Sequence, residues 1–363
     1  MYIEETARLA IYAPGEFGQE SSKTAEGVLR YGRNPIVCVI DDKQAGRTIK
    51  SLVGIDIDAP IVSTIDEALA LGADALLLGT AWNGGRIPER WRADIVAAIA
   101  GGMDVINGLH DFLEDDANIV AAAKAHGKRL FDVRKPPENM PVGAARVLEG
   151  NVRNAHVILT IGSDCSMGKM TTALEIQKVA DAQGAKTAFV ATGQTGIMIC
   201  GRGIAIDRVI GDFMAGATEM MVVEAAAHAD FIFVEGQGSL AHPGFSGVTM
   251  ALVHGACPQS MILCHKPSRT KIKNTDIEIS DLNKLIASYE SMTTYLRPGK
   301  VLAVALNTSD LTEEEAQAAI SQVQVHTGLP ACDPVRFSAK VLWQAIEASS
   351  KLLNIRSTSE NRR

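Results

Sequence analysis

The stretch His156-Val-Ile-Leu-Thr-Ile-Gly162-Ser163-Asp164-Cys165-Ser166-Met167-Gly168-Lys169-Met170-Thr171-Thr172 decides the fold. An apolar run, a glycine-bearing loop, Gly-Lys and a helical pattern make the layout of a phosphate-binding loop between a buried strand and a helix. Glycines let backbone N–H groups converge on an anion, the helix N-terminus adds its positive end, and Lys169 supplies a point charge. The plain alternative is a tight turn with a chance lysine, but strand, spacing, lysine and helix all coincide. Two departures matter. Five residues rather than four separate Gly162 from Gly168, and Met170 stands where nucleotide hydrolases carry the Ser or Thr that holds Mg²⁺. A helix turns about 100° per residue, so Thr171 cannot simply replace that hydroxyl. The loop is read as a phosphate cradle that binds without hydrolysis.

Downstream, Phe231-Ile-Phe-Val-Glu235-Gly236-Gln237-Gly238-Ser239-Leu240-Ala241-His242 ends a buried strand on an acid and Gly-x-Gly. Ligand crevices of parallel sheets open at such strand ends. Glu235 can bind a metal, orient an amine, act as a base, or cap the next turn. His242 can accept a proton or be a loop histidine satisfied by backbone. A third cluster follows the strand Thr187–Thr192. It is read as a loop carrying Gln194, Thr195, Arg202, Arg208 and Asp212. Guanidinium–carboxylate pairing makes Arg202, Arg208 and the later Arg269 candidates for an acidic substrate, with Gln237 beside them. Any one of these arginines can equally be a solvated surface residue. Cys165, at a helix N-terminus beside Lys169, is set to have a lowered thiol pKa and could carry an acyl group. Asn307 ends the run Val301–Leu306, where an amide can read a purine edge.

Working outward, the region before residue 149 alternates short continuous apolar runs with helical stretches, as a parallel sheet covered on both faces requires. Residues 1–148 are therefore expected to be a Rossmann-like domain, 149–356 a P-loop domain, and 357–363 a frayed tail. The first strand-to-helix turn, Pro14-Gly15-Glu16-Phe17-Gly18, is not a GxGxxG fingerprint. The acidic pair Asp41-Asp42 is then a weak ribose signal, and a scaffold or dimerisation domain is the simpler reading. His110 and Arg134 follow strands and face either a cleft or solvent.

Composition limits the function classes. A 363-residue chain suggests about two domains. A formal charge of −7 argues against a general nucleic-acid binder. No apolar run approaches the roughly 18–20 residues of a membrane span. The acidic start MYIEETARLA is unlike a signal peptide. Six scattered cysteines without a CxxC pair read as reduced thiols of a cytoplasmic protein, and no resident metal is expected. A homodimer is the expected assembly.

At these residues the second domain resembles the dethiobiotin-synthetase branch of P-loop proteins, through Gly-Ser-Asp-x-x-Met-Gly-Lys and Val-Glu235-Gly-Gln-Gly. More closely, the whole chain resembles a two-domain family once catalogued as a domain of unknown function, which includes D-glutamate N-acetyltransferases. Its segments here are Gly-Ser-Asp-Cys-Ser-Met-Gly-Lys-Met-Thr-Thr, Ala-Thr-Gly-Gln-Thr-Gly, Glu-Gly-Gln-Gly-Ser-Leu-x-His-Pro, Trp82-Asn-Gly-Gly and Asn-Gly-Leu-His. The resemblance implies acetyl-CoA as donor and D-glutamate as acceptor. Under it, residues Gly162–Thr171 and Asn307 hold coenzyme A, and Glu235, His242 and Lys169 carry the chemistry. Gln194, Thr195, Arg202, Arg208, Asp212, Gln237 and Arg269 meet the amino acid. The rival readings are an ATP- and Mg²⁺-dependent ligase or kinase acting on a small carboxylic acid, and a non-catalytic coenzyme A or nucleotide sensor.

Overall fold

The computed structural model describes residues 3–81 and 84–360, so Trp82 and Asn83 of the Trp-Asn-Gly-Gly segment lie outside it. In the first half, β1 (Leu9–Tyr12), α1 (Lys23–Tyr31), β2 (Ile36–Ile40), α2 (Ile49–Val53), β3 (Ile61–Val62), α3 (Ile65–Ala70), β4 (Ala75–Leu78), α4 (Glu89–Ala100), β5 (Asp104–Asn107), α5 (Ala117–His126) and β6 (Leu130–Asp132) follow in order. The strands form one parallel sheet in the order β3-β2-β1-β4-β5-β6, the doubly wound arrangement of a Rossmann-like domain. Its central strands β1, β4 and β5 are buried along their whole length, which explains the uninterrupted apolar sequence of β1 and β4; in β5 the inner pair Val105-Ile106 is apolar, between Asp104 and Asn107. Local signals agree with the helices: Thr64 and Glu67 form a reciprocal capping box on α3, and Gly127 closes α5 in the left-handed region.

The second half continues with β7 (His156–Gly162), α6 (Lys169–Ala182), β8 (Thr187–Val190), α7 (Gln194–Cys200), α8 (Gly211–Ala226), β9 (Phe231–Val234), α9 (Ser246–Ala256), β10 (Ser260–His265), α10 (Leu282–Thr293), β11 (Lys300–Leu306), α11 (Glu313–Thr327), β12 (Ala331–Cys332) and α12 (Lys340–Glu360). Its sheet is also parallel, in the order β12-β11-β10-β7-β9-β8. All seven residues of β7 are buried. β7 lies between β9 and β10, where the strand order reverses, so the loops after β7, β9 and β10 share the carboxyl edge at the switch point. Trp343 of α12 packs edge-on to Phe231, with ring centroids 4.9 Å apart.

Two compact units result, and their limits differ from the sequence expectation. The first comprises Met1–Pro137 with Gly193–Arg208, and the second Glu138–Thr192 with Val209–Arg363. The stretch read as a loop after β8 is thus a helix, α7, that belongs to the first unit. There Thr195 Oγ1 lies 2.8 Å from Thr24 Oγ1, and Gly108 leaves room for the side chains of Gln194 and Met198. A Cβ on Gly108 would sit 2.9 Å from Met198 Cε. No local pattern in 193–208 encodes that attachment, which is a long-range packing choice. Helix α12 also runs to Glu360, past the point where the sequence suggested fraying. Among the described residues, no helix is long and apolar enough to cross a membrane.

Candidate functional site

The loop between β7 and α6 is built as its sequence suggests. α6 begins at Lys169, and Gly168 precedes it at φ +95°. That conformation is costly for a residue with a Cβ, which explains the glycine. The first N–H groups of α6 have no intrahelical acceptor and present the positive end of the helix. Ser163 is buried, with its Oγ 2.9 Å from His265 Nδ1, and Met167 is buried as well. Ser166 holds φ +57° at an exposed corner of the loop.

Lys169 turns inward. It is buried, and its Nζ donates to the Asp164 carbonyl at 2.8 Å. The stem crosses two glycines: a Cβ on Gly162 would lie 2.8 Å from Nζ, and one on Gly236 would lie 3.1 Å from Cδ. The Gly236 Cβ would also fall 1.6 Å from the Thr160 carbonyl oxygen. Gly-Lys in one loop and Glu-Gly in the next are therefore one steric unit. Burial pushes the Lys169 pKa below the usual lysine value, while Cys165, Cys264, Asp164 and Glu235 pull it back up.

Glu235 is buried at the end of β9, where Oε2 accepts the Thr192 N–H at 2.9 Å. Thr192 Oγ1 donates to the Glu235 carbonyl at 2.7 Å, and Gln237 Nε2 donates to the Thr192 carbonyl. Glu235 and Gln237 thus tie the loop after β9 to the end of β8. This places Gln237, read as a substrate contact, on the backbone of Thr192.

The buried carboxylate of Asp164 is the hub of the site. Its Oδ2 accepts the Lys273 N–H at 2.8 Å and Arg269 Nη1 at 3.2 Å. Arg269 also donates to the Cys165 carbonyl at 2.8 Å. Sequence reasoning gave Arg269 to the substrate; the structure uses it to brace the phosphate loop. His242 is buried, its Nε2 lies 3.2 Å from the Lys273 carbonyl, and its Nδ1 accepts the Gly244 N–H at 3.0 Å. Cys165 Sγ, a ring nitrogen of His242 and a carboxylate oxygen of Asp164 lie within 4.8 Å of one another. The sequence expectation of no metal did not anticipate this grouping of three donor types.

The remaining predicted residues are placed elsewhere. Met170 and Thr171 lie in the first turn of α6, half-buried. Asn307 Oδ1 accepts the Ser309 N–H at 3.2 Å and so closes the turn after β11. Asp212 is exposed in the first turn of α8. Within the first unit, Gln194 Oε1 accepts Arg134 Nη2 at 2.7 Å, so this amide serves an arginine of the protein. Arg202 is exposed, and Arg208 stacks over the Phe112 ring at 5.0 Å.

Residues 146–343 match a family model described as the DUF1611 P-loop domain of unknown function, and residues 42–136 match its DUF1611 N-terminal Rossmann-like domain. The chain belongs to the DUF1611 family. A D-glutamate N-acetyltransferase of Tritonibacter scottomollicae is 42% identical over 288 residues, covering 78% of this chain and 84% of the relative. A D-glutamate N-acetyltransferase of a Pseudoalteromonas species is 36% identical over 276 residues, covering 75% and 81%. The crystal structure of a DUF1611 family protein from Anabaena variabilis matches with a TM-score of 0.90 at 36% identity, covering 94% of this chain and all of that one.

Sequence reasoning missed two residues that hold this site of the DUF1611 protein together. Tyr289, buried on α10, donates its hydroxyl hydrogen to the Gly162 carbonyl at 2.9 Å and accepts the Leu240 N–H at 3.1 Å. Lys273 acts through its backbone, with N–H to Asp164 and carbonyl to His242. Neither carries a local motif. The one available signal is the run of cationic residues after β10, from Lys266 to Lys273.

Proposed function

We propose that the protein is an amino-acid N-acetyltransferase that moves acetyl from acetyl-CoA to the amine of D-glutamate and releases coenzyme A. The observation that carries this reading is Lys169, held inside a glycine loop at the head of α6 with Met170 directly after it. Such a loop suits the diphosphate of coenzyme A, because it offers a cation and a helix N-terminus without the hydroxyl that holds Mg²⁺. The names of the two relatives support the acceptor and the transferred group.

In this reading the amine of D-glutamate attacks the thioester carbonyl. The N–C bond forms, the C–S bond breaks, coenzyme A leaves as its thiol, and the amine gives up a proton. Glu235 takes that proton, as a carboxylate at the switch point of the sheet. The developing oxyanion is met by backbone N–H groups of the glycine loops or by Lys169. Glu235→Gln keeps an oxygen for the Thr192 N–H and removes the basicity. Its kcat is expected to fall about 10²–10⁴-fold. Full turnover in that variant rejects the base assignment.

An ATP- and Mg²⁺-dependent ligase or kinase is the second reading, favoured by the P-loop domain itself. Thiol release followed with a chromogenic disulfide, run beside an ADP assay with and without Mg²⁺, separates the two. Thiol release that depends on D-glutamate supports the transferase; ADP formation without thiol release overturns it.

A further inference from the structure

We infer that Asp164, Cys165 and His242 form a binding site for a zinc-like divalent cation. Asp164 is fully buried, and its two oxygens are treated unequally. Oδ2 takes the Lys273 N–H and Arg269, while Oδ1 is buried with no hydrogen-bond partner among the described residues. A buried carboxylate oxygen without a donor is costly, and a cation is the partner that would satisfy it. The thiol of Cys165 and a nitrogen of His242 stand within 4.8 Å of that carboxylate and of each other.

The donor chemistry is selective. A mixed oxygen, nitrogen and thiolate set suits zinc and its borderline-soft neighbours, and it does not suit Mg²⁺ or Ca²⁺, which take oxygen ligands. Zinc bonds of about 2.0–2.3 Å put tetrahedral donors about 3.3–3.8 Å apart, so the three side chains close by roughly 1.5 Å at most. The orienting contacts are also in place. The Lys273 carbonyl faces His242 Nε2, which assigns the proton to that nitrogen and leaves Nδ1 as the ligating atom, in exchange for the Gly244 N–H. The N–H of the same residue holds Asp164. One residue's backbone therefore aims two of the three ligands. Three protein ligands leave a fourth position for water or a substrate atom, the pattern of an open zinc site.

The test uses the full-length protein, stripped with a chelator and titrated with CoCl₂. One equivalent is expected to bind, with near-ultraviolet thiolate-to-cobalt absorption and visible bands of tetrahedral intensity, both displaced by ZnCl₂. Cys165→Ser should abolish the near-ultraviolet band, and His242→Ala or Asp164→Asn should weaken binding at least 10–100-fold. Far-ultraviolet circular dichroism checks that each variant is folded; Cys165→Ser, the smallest change, carries the test if the others fail to fold. Absence of stoichiometric binding, or a cobalt spectrum unchanged in Cys165→Ser, overturns the site. The readout is independent of turnover. Cobalt binding without thiol release would leave this site standing and reject the transferase, and thiol release without cobalt binding would do the reverse.

Discussion

The hydroxyl of Tyr289 donates to the Gly162 carbonyl at 2.9 Å, so a side chain from α10 holds the first residue of the phosphate loop. The same oxygen accepts the Leu240 N–H at 3.1 Å and fixes the loop after β9 to the same point. Tyr289→Phe removes both bonds in a buried setting. A loss of about 1–3 kcal/mol is expected, from leaving a backbone N–H and C=O unsatisfied. Urea unfolding reads it directly. A variant as stable as the wild type would show that water or a loop shift replaces the hydroxyl.

Lys169→Ala tests the cradle. Its ammonium is the buried cation of the loop, so the variant should raise KM for acetyl-CoA while leaving KM for the acceptor near its starting value. A charge-assisted bond to phosphate corresponds to about 1.5–3 kcal/mol, or roughly 10–100-fold in KM. An unchanged KM for acetyl-CoA would reject the assignment of Lys169.

Within the first unit, buried Arg134 pairs with Asp207, donates Nε to the Gly108 carbonyl at 2.8 Å, and donates Nη2 to Gln194. These bonds attach residues 193–208 to the Rossmann-like sheet. Arg134→Leu leaves Asp207 without its charge partner, which is worth about 3–5 kcal/mol for a fully buried pair. The Asp207 side chain is 24% exposed, so about 3 kcal/mol is the expected loss in urea unfolding. Restoring stability by combining Arg134→Leu with Asp207→Asn would confirm the ionic origin.

His156 predicts an acid-sensitive second unit. Burial pushes its pKa down to about 4 from 6.5, with Arg297 adding to the shift, and its Nε2 lies 2.7 Å from Ser260 Oγ. Between those two values the unfolded chain binds more protons than the folded one, so stability rises with pH across pH 4–6.5 and is fully present above 6.5. At pH 5 the group should cost about 2 kcal/mol relative to pH 7.5, from roughly 1.5 units at 1.36 kcal/mol each. Asp132, whose carboxyl pKa is raised chiefly by burial, acts with the opposite sign. The histidine's share is therefore the difference between wild type and His156→Gln in denaturant midpoints at the two pH values. Equal pH slopes in both proteins would contradict it.

Strand limits at β1, β2, β4 and β9 follow the apolar runs residue for residue, because a strand buried on both faces must be apolar throughout. The edge strands β3 and β12, of two residues each, carried no such signal, and α7 was read as a loop. At the site, Gly162, Gly168, Lys169, Glu235 and His242 were legible because glycine conformation and strand-end chemistry are local properties. Arg269, Gln194 and Gln237 read from the sequence as substrate contacts, and the partners each finds within the protein itself, 105, 60 and 45 residues away, carry no local signal.

The sequence by itself determined two parallel-sheet domains, the phosphate loop with its missing Mg²⁺ hydroxyl, and the acid at the end of β9. These rest on periodicity and on backbone conformations that neighbouring residues impose. Only the tertiary structure decided that Gly193–Arg208 joins the first unit, that Tyr289 and Lys273 hold the loops, and that Asp164, Cys165 and His242 converge. Those choices depend on contacts between segments far apart in the chain, where burial leaves each polar atom to find whichever partner the packed fold brings within reach.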